Sequence, residues 1–523
     1  MSESPKSGNE SGSDAVKALS NDLDANIKWL SGELGTEPDI VIRRFQVLRN
    51  KRAALVYISD ISNDASINTL MMSMLDEGLK PVADEYEEEP LQALMLRSIT
   101  VGAIRQLNSL DHVLLAILEG CSVILLDGFA TVIAADTGGS EKRGVEEPSS
   151  QTVVRGPKEG FTESVRTNTA LIRAKIKSAD LRMEYKRIGK RTQTTVVVVY
   201  IRGIAEEKTI QEVNRRLDLI DTDSILESGY IEEFIQDKTF TPFPLFQNTE
   251  RPDAVAAGLL EGQFAIIVDG TPFVLLAPVT FIKFFQSSED YYQRYDIASF
   301  LRLIRLSSFL ISMLLPSLYI AITTFHQEML PTSLLISLAA QREGVPFPAL
   351  IEAMLMELTF EILREAGVRM PRIIGSAISI VGALVLGQSA VQAGLVSAAM
   401  VIVVSFTAIA SFVIPSVNMG SAARLIRFAM MFLAGTFGLF GIMAGLMIIL
   451  AHMSGLRSFG VSYLTPLSPL VPGNLKDVFV RVPWWAMKKR PSMYGGEPTT
   501  RQGSGKQSAE NQGNNSQEGK RDR

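Results

Sequence analysis

The stretch FAIIVDGTPFVLLAPVTFI, residues Phe264 to Ile282, decides where a soluble region ends and a membrane region begins. It is apolar enough to read as a membrane helix, but such a helix needs about 20 predominantly apolar residues in succession. Asp269-Gly270 interrupts the run, and that dipeptide suits a tight hairpin because it tolerates positive φ. Pro272 and Pro278 divide it further. The pieces have strand length, so the stretch reads as a β-hairpin that closes a soluble region.

Upstream, charge is spread along the whole chain. The strand AALVYIS (Ala53 to Ser59) follows an amphipathic start at Ile27 to Leu30, and a helical stretch runs from Ala65 to Leu79. CSVILLDGFATVIAADT then presents two apolar runs around Asp127-Gly128, a second hairpin signal. A basic helix (Thr162 to Lys177), the strand TTVVVVYIRG, and a helix with Ile210, Val213, Leu217 and Ile220 on one face follow. The expected division is a tail at 1–23, an α/β lobe at 24–150 and a second at 151–300. The polar, acidic N-terminus has no apolar signal segment, so these lobes are expected to stay in the cytoplasm.

Downstream, charge disappears. Leu306 to Phe325 is twenty uncharged residues, and Ile373 to Ala423 is fifty-one. Phe428 to Leu456 contains His452 as its one ionisable group. The expectation is a membrane domain at 301–494 with spans near 306–325, 373–390, 394–414 and 428–452, the last long and tilted. An even number of spans puts both tails on one side. The positive-inside test is balanced, with Arg302, Arg305, Arg457 and Lys488 to Arg490 set against Arg364, Arg369, Arg372, Arg424 and Arg427 on the opposite side. Residues 495–523 are rich in Gly, Ser, Asn and Gln and read as a disordered tail.

The segment QREGVPFPALIEAMLMELTFEILREAGVRMPR (Gln341 to Arg372) keeps five glutamates between uncharged runs. Pro348 suits a helix start, and an amphipathic helix is expected at 348–366. Ile351, Met354, Leu355, Leu358 and Ile362 share one face, while Glu352, Glu357, Glu361 and Glu365 lie off it. Arg364 and Arg369 are spaced to pair with Glu361 and Glu365. Carboxylates are costly in hydrocarbon, so they require a surface or water-lined position. A cation-attracting mouth and a merely solvated face both fit.

In the run IIGSAISIVGALVLGQ, the stripe Ile378, Val381, Val385 and Gln388 lies beside the small residues Gly375, Ser379 and Gly382. Repeated around an axis, the first stripe would form a dewetting pore with a polar ring; an ordinary buried helix fits as well. Gly435, Gly438, Gly441 and Gly445 read as close helix packing.

Enzymatic signals are weak. Asp136-Thr137-Gly138 has the look of an aspartic protease loop, but no second copy accompanies it, and it reads as a strand-ending turn. The single Cys121 excludes an internal disulfide, and no cysteine spacing suits a metal. No cofactor site is legible. From Arg155 to Arg191, eleven Lys or Arg face four Asp or Glu. Without an aromatic platform this does not read as nucleic-acid binding; a solvated face, anionic headgroups and an acidic partner lobe all fit.

RGPKEGFTESVRTNTALIR, the glutamate-rich segment and IIGSAISIVGALVLGQSAVQAGLVS together resemble the A subunits of GerA-type spore germinant receptors, over roughly residues 27–493. The resemblance implies a non-enzymatic protein of the spore inner membrane. It implies complexes with B and C subunits that respond to nutrients, two cytoplasmic α/β lobes, and self-association into a ligand-gated cation channel. On that view the stripe ending at Gln388 lines the pore and the four glutamates form its mouth. A non-conducting scaffold for the nutrient-binding subunit and a secondary transporter are the rival readings, although no internal repeat is visible in the membrane region.

Overall fold

The computed structural model describes residues 18–35, 37–47, 51–75, 103–139, 147–148, 151–369, 387–487, 489–490, 494 and 500–501. The first lobe contains α1 (Leu23–Leu34), β1 (Ile40–Val47), β2 (Lys51–Ile58), α2 (Asp64–Leu75), β3 (Ile104–Leu107), α3 (Leu110–Leu118), β4 (Cys121–Leu126) and β5 (Val132–Asp136). The second contains α4 (Val165–Lys175), β6 (Leu181–Ile188), β7 (Thr194–Ile201), α5 (Glu207–Asp218), α6 (Ser228–Ile235), β8 (Gln247–Thr249), α7 (Pro252–Leu260), β9 (Phe264–Val268) and β10 (Val274–Ala277).

Both sheets are antiparallel, and their strand orders, β1-β2-β4-β5-β3 and β6-β7-β9-β10-β8, are the same arrangement. Helices cover both faces of each sheet: α1 and α3 opposite α2, then α4 and α7 opposite α5 and α6. Central strands such as β9 are therefore buried throughout, which explains apolar runs without alternation.

The repetition extends to single bonds. The Asp127 carboxylate at the β4–β5 turn accepts from the Leu23 N–H at 3.3 Å, and Asp269 at the β9–β10 turn accepts from Val165 N–H at 3.1 Å. Gly128 and Gly270, at φ 88° and 92°, donate to the carbonyls of Asn21 and Glu163. Asn26 and Asn168 each bond both backbone polar groups of the residue six positions earlier. In each lobe the hairpin tip is thus tied to the start of the first helix.

The basic segment of the second lobe meets acids of the first. Arg173 pairs with Asp39 at 2.6 Å, both buried, and Arg166 pairs with Asp64 at 3.1 Å. Thr169 and Tyr185 donate to Asp60 at 2.6 and 3.1 Å. For Arg166 and Arg173 the structure supplies the acidic lobe, while Arg155, Lys158, Arg187, Lys190 and Arg191 are exposed, as a solvated face would be.

Beyond β10, two 3-10 turns (Phe281–Phe285 and Ser288–Tyr291) lead into the helical domain. It comprises α8 (Tyr295–Phe325), α9 (Thr332–Arg342), α10 (Ala349–Arg369), α11 (Gly387–Gln392), α12 (Ala398–Phe412) and α13 (Val417–Gly455). Among the described residues, α8 and α13 are long and apolar enough to cross a membrane; α12 is shorter, at 15 residues. The expected span at 373–390 lies largely outside the described residues, as do most of both tails.

The expectation of one tilted span over 428–452 is overturned. Gly438 leaves the helical region at φ 61°, ψ −141°, and the chain folds back there. A methyl added at Gly445 would lie 2.6 Å from Met430 Sδ, and one at Gly441 would strike the Leu433 carbonyl oxygen. In a straight helix, residues 430 and 445 would be roughly 22 Å apart. α13 is therefore a helical hairpin, and Gly441 and Gly445 permit its arms to touch. Positive φ at Gly438 suits glycine best, because a Cβ there would be strained and would also meet His326 Cε1 at 2.8 Å.

Candidate functional site: the polar ties of the helical domain and its junction

α10 begins after Pro348, whose carbonyl accepts from Glu352 N–H at 3.0 Å. It runs antiparallel to the first arm of α13: Leu350 packs on Gly435, Glu357 meets Arg427, and Glu361 approaches Arg424 at 3.7 Å. Its two faces settle the glutamate question differently from the expectation. Ile351, Leu355, Leu358 and Ile362 point outward at 47%, 44%, 56% and 61% exposure, whereas Glu352 and Glu357 are fully buried.

These two carboxylates are neither at the surface nor water-lined, as the cost of hydrocarbon required. Protein donors satisfy the same requirement. Glu352 accepts from the backbone N–H and hydroxyl of Ser397, both at 2.6 Å, at the start of α12. Glu357 forms a buried ion pair with Arg427. Glu361 pairs with Arg364 at 2.7 Å, and the exposed Glu365 pairs with Arg369 at 2.6 Å. Each internal tie joins α10 to a different helix, so the glutamates align α10, α12 and α13.

A second network binds this domain to the second lobe. Asp290, in the turn before α8, receives Arg302 Nε at 2.9 Å and Arg305 at 2.6 Å. Arg302 also donates to the Asp477 carboxylate at 2.7 Å, and Tyr291 OH donates to the other Asp477 oxygen at 2.7 Å. Arg481 donates to the carbonyls of Asp290 and Gln293 at 2.8 and 2.9 Å. Three parts of the chain, the exit of the second lobe, the base of α8 and the segment after α13, are thus locked together. Burial, with Asp477 and Glu261 nearby, pushes the Tyr291 phenol well above its usual range. It stays a neutral donor at any ordinary pH.

Beside this lock, Lys283 pairs with Glu261 at 3.0 Å, and Arg501 approaches the same carboxylate at 3.3 Å. Burial alone would raise the Glu261 pKa, but the two cations hold it below the usual carboxylate range. Apolar packing continues through the junction, where Phe243, Leu245, Val279 and Phe284 share one core with Met313, Met419 and Tyr463.

The other sequence candidates are dispersed. Ile378, Val381, Val385, Gly375, Ser379 and Gly382 lie outside the described residues, and Gln388 is exposed on the short α11. Asp136 ends β5, and its carboxylate accepts from Gly138 N–H at 3.1 Å, a local turn bond. Among the described residues, no group of three His, Cys, Asp or Glu could hold a metal ion. Sequence reasoning treated Arg302 and Arg305 only as orientation charges. Their partners Asp290 and Asp477 belong to distant segments, and no spacing could have joined them.

The description "Bacillus/Clostridium GerA spore germination protein" matches residues 28–493. The chain belongs to the GerA spore germination protein family. Spore germination protein KA of Bacillus subtilis (strain 168) is 48% identical over 489 residues, 93% of this chain and 89% of that protein. Spore germination protein GerLA of Bacillus cereus is 38% identical over 90% of this chain and 96% of its own length. The N-terminal domain of the A subunit of the Bacillus megaterium spore germinant receptor GerK3 has a crystal structure. It is 38% identical to this chain, with coverage of 51% of this chain and 98% of that domain, at a TM-score of 0.41. The family match spans both lobes, the junction and the helical hairpin, so both networks belong to the family region.

Proposed function

We propose that this chain is the A subunit of a nutrient germinant receptor that triggers spore germination. It acts by self-association into a ligand-gated cation channel in the spore inner membrane, together with B and C subunits. The observation that carries this reading is the family match over residues 28–493, which includes the apolar helices.

The fold adds support for orientation. α10 runs from the far end of the domain back toward the second lobe, and the first arm of α13 starts beside that lobe. There Ile414 and Ser416 line a cavity with Gln151 and Phe284. Arg364, Arg369 and Arg424 therefore lie toward the same end as Arg302 and Arg305, not the opposite one expected from sequence, while Arg427 sits midway along its arm. Basic residues gathered near the lobes favour a cytoplasmic position for both.

The pore lining proposed is Ile378, Val381 and Val385, with Gln388 at its end. Of the mouth glutamates, Glu365 keeps an exposed carboxylate; Glu352 and Glu357 serve as internal ties first. The test is ion flux in liposomes holding the chain with and without its B and C partners and nutrient. Val381→Ser or Val385→Ser is expected to leak cations without nutrient. No flux in any combination would leave a non-conducting scaffold, and substrate-coupled flux would mark a transporter.

A further inference from the structure

We propose that the base of α8 and the segment after α13 lie together in the interfacial layer of the bilayer, as an apolar belt beside the junction. The inference rests on the membrane position proposed above, and it adds a lipid-facing surface that the uncharged runs do not include.

The belt begins where charge and exposure disagree. Arg302 and Arg305 end the uncharged run of α8 in sequence, yet both turn inward, to Asp290 and Asp477. The other side of the same turns carries Ile297, Phe300, Leu303 and Ile304, at 48%, 67%, 51% and 37% exposure. They share that side with Leu310, which lies inside the uncharged run and is 45% exposed. The outward apolar face of the span thus continues about two turns past its arginines.

Length decides what meets this face. From Ile297 to Phe325 the helix rises roughly 43 Å, against about 30 Å of hydrocarbon and about 40–45 Å for a bilayer with its headgroup regions. The lower turns therefore fall within the headgroup region rather than beyond the bilayer. Below them stand Arg294 and Tyr295, both exposed, and these residue types favour the membrane–water boundary.

The segment after α13 joins the belt through a direct bond. Arg481 N–H donates to the Ser299 hydroxyl at 3.0 Å, at the border of the stripe. Phe479 and Val480, just before it, are 38% and 54% exposed, and the exposed Lys476 supplies a headgroup-seeking cation. An exposed apolar patch calls for an occupant, and continuity with the face of a membrane span identifies that occupant as lipid. Arg302, Asp290 and Asp477 then sit at headgroup level behind the belt, so the lock on the second lobe is held at the membrane surface.

Single cysteines in a Cys121→Ala background are labelled with the fluorophore NBD. The full chain is then placed in phosphatidylcholine nanodiscs with or without bromine high on the acyl chains. Labels at Phe300→Cys and Val480→Cys are expected to be quenched about threefold or more relative to one at Lys190→Cys, in the exposed β6–β7 turn. A label at Leu310→Cys reports the membrane position itself. Quenching at Leu310→Cys with none at Phe300→Cys or at Val480→Cys would overturn the proposal and leave this surface to a protein partner. Without quenching at Leu310→Cys, the membrane reading fails as well. Phe479→Cys keeps the test decisive if the Val480 variant misfolds.

Discussion

Replacing Arg427 by Met removes one partner of the Glu357 pair, and the structure gives the scale of the loss. Both side chains are almost entirely buried, at 1% and 0% exposure, so Glu357 cannot turn to solvent. Its second oxygen and Arg427 Nε have no hydrogen-bond partner, so no other bond compensates. Breaking a buried pair from one side costs about 3–5 kcal/mol. For a domain of this size, 1 kcal/mol moves the melting temperature by about 2–4 °C, so Arg427→Met is expected to lower it by roughly 6–20 °C. Glu357→Met should behave alike. The double variant Glu357→Met/Arg427→Met should recover most of the loss, because it leaves no charge stranded and fills similar volume. Thermal unfolding of the chain in nanodiscs, followed by circular dichroism, completes the cycle. If the two single losses simply add in the double variant, the pair does not tie α10 to α13 and the reasoning fails.

Further outcomes follow from other parts of the fold. Gly441→Ala should separate the arms of α13 and destabilise by about 1–3 kcal/mol or more, since overpacking has no outlet against a backbone carbonyl. Gly344→Ala, where a Cβ meets nothing within 4 Å, is the control in the same melt. Arg302→Ala leaves Asp290 with Arg305 but removes the side chain that joins Asp290 to Asp477, and should expose the segment after α13 to limited proteolysis; unchanged cleavage would refute the lock. Glu232 has its carboxyl pushed up to about 7 by burial and by the nearby Glu227 and Glu233. Folding thus favours its protonated form: the penalty is absent below about pH 4.5, grows as pH rises and is complete above about 7. Glu232→Gln should therefore raise the melting temperature at pH 8 and leave it unchanged at pH 4. Glu365→Gln should lower cation selectivity in liposomes without moving the melt.

Most secondary structure was legible because the signals are local. Asp127-Gly128 and Asp269-Gly270 announce their hairpins in two residues, and the helix through Ile210, Val213 and Leu217 shows its face in eight. What sequence hid is long-range. Leu23 and Asp127 are far apart in the chain, so the doubled lobe showed only once strand order and the two ties were seen together. Gly438 looked like one of four packing glycines, because nothing in an apolar run distinguishes a straight helix from one that turns back. The glutamates of α10 were misplaced for a related reason: spacing shows that they share a side, but not that Ser397 and Arg427 wait there.

The reversal at Gly438 turns the helical domain into a lever. The second lobe sits by the base of α8 and both feet of the α13 hairpin, while the bend rests against Phe325 and His326 at the opposite end. Each arm is about 30 Å or slightly less at 1.5 Å per residue, so a tilt of roughly 5° at the feet displaces the bend by about 2–3 Å. A displacement of that size would matter at a constriction of the kind proposed for Val381 and Val385.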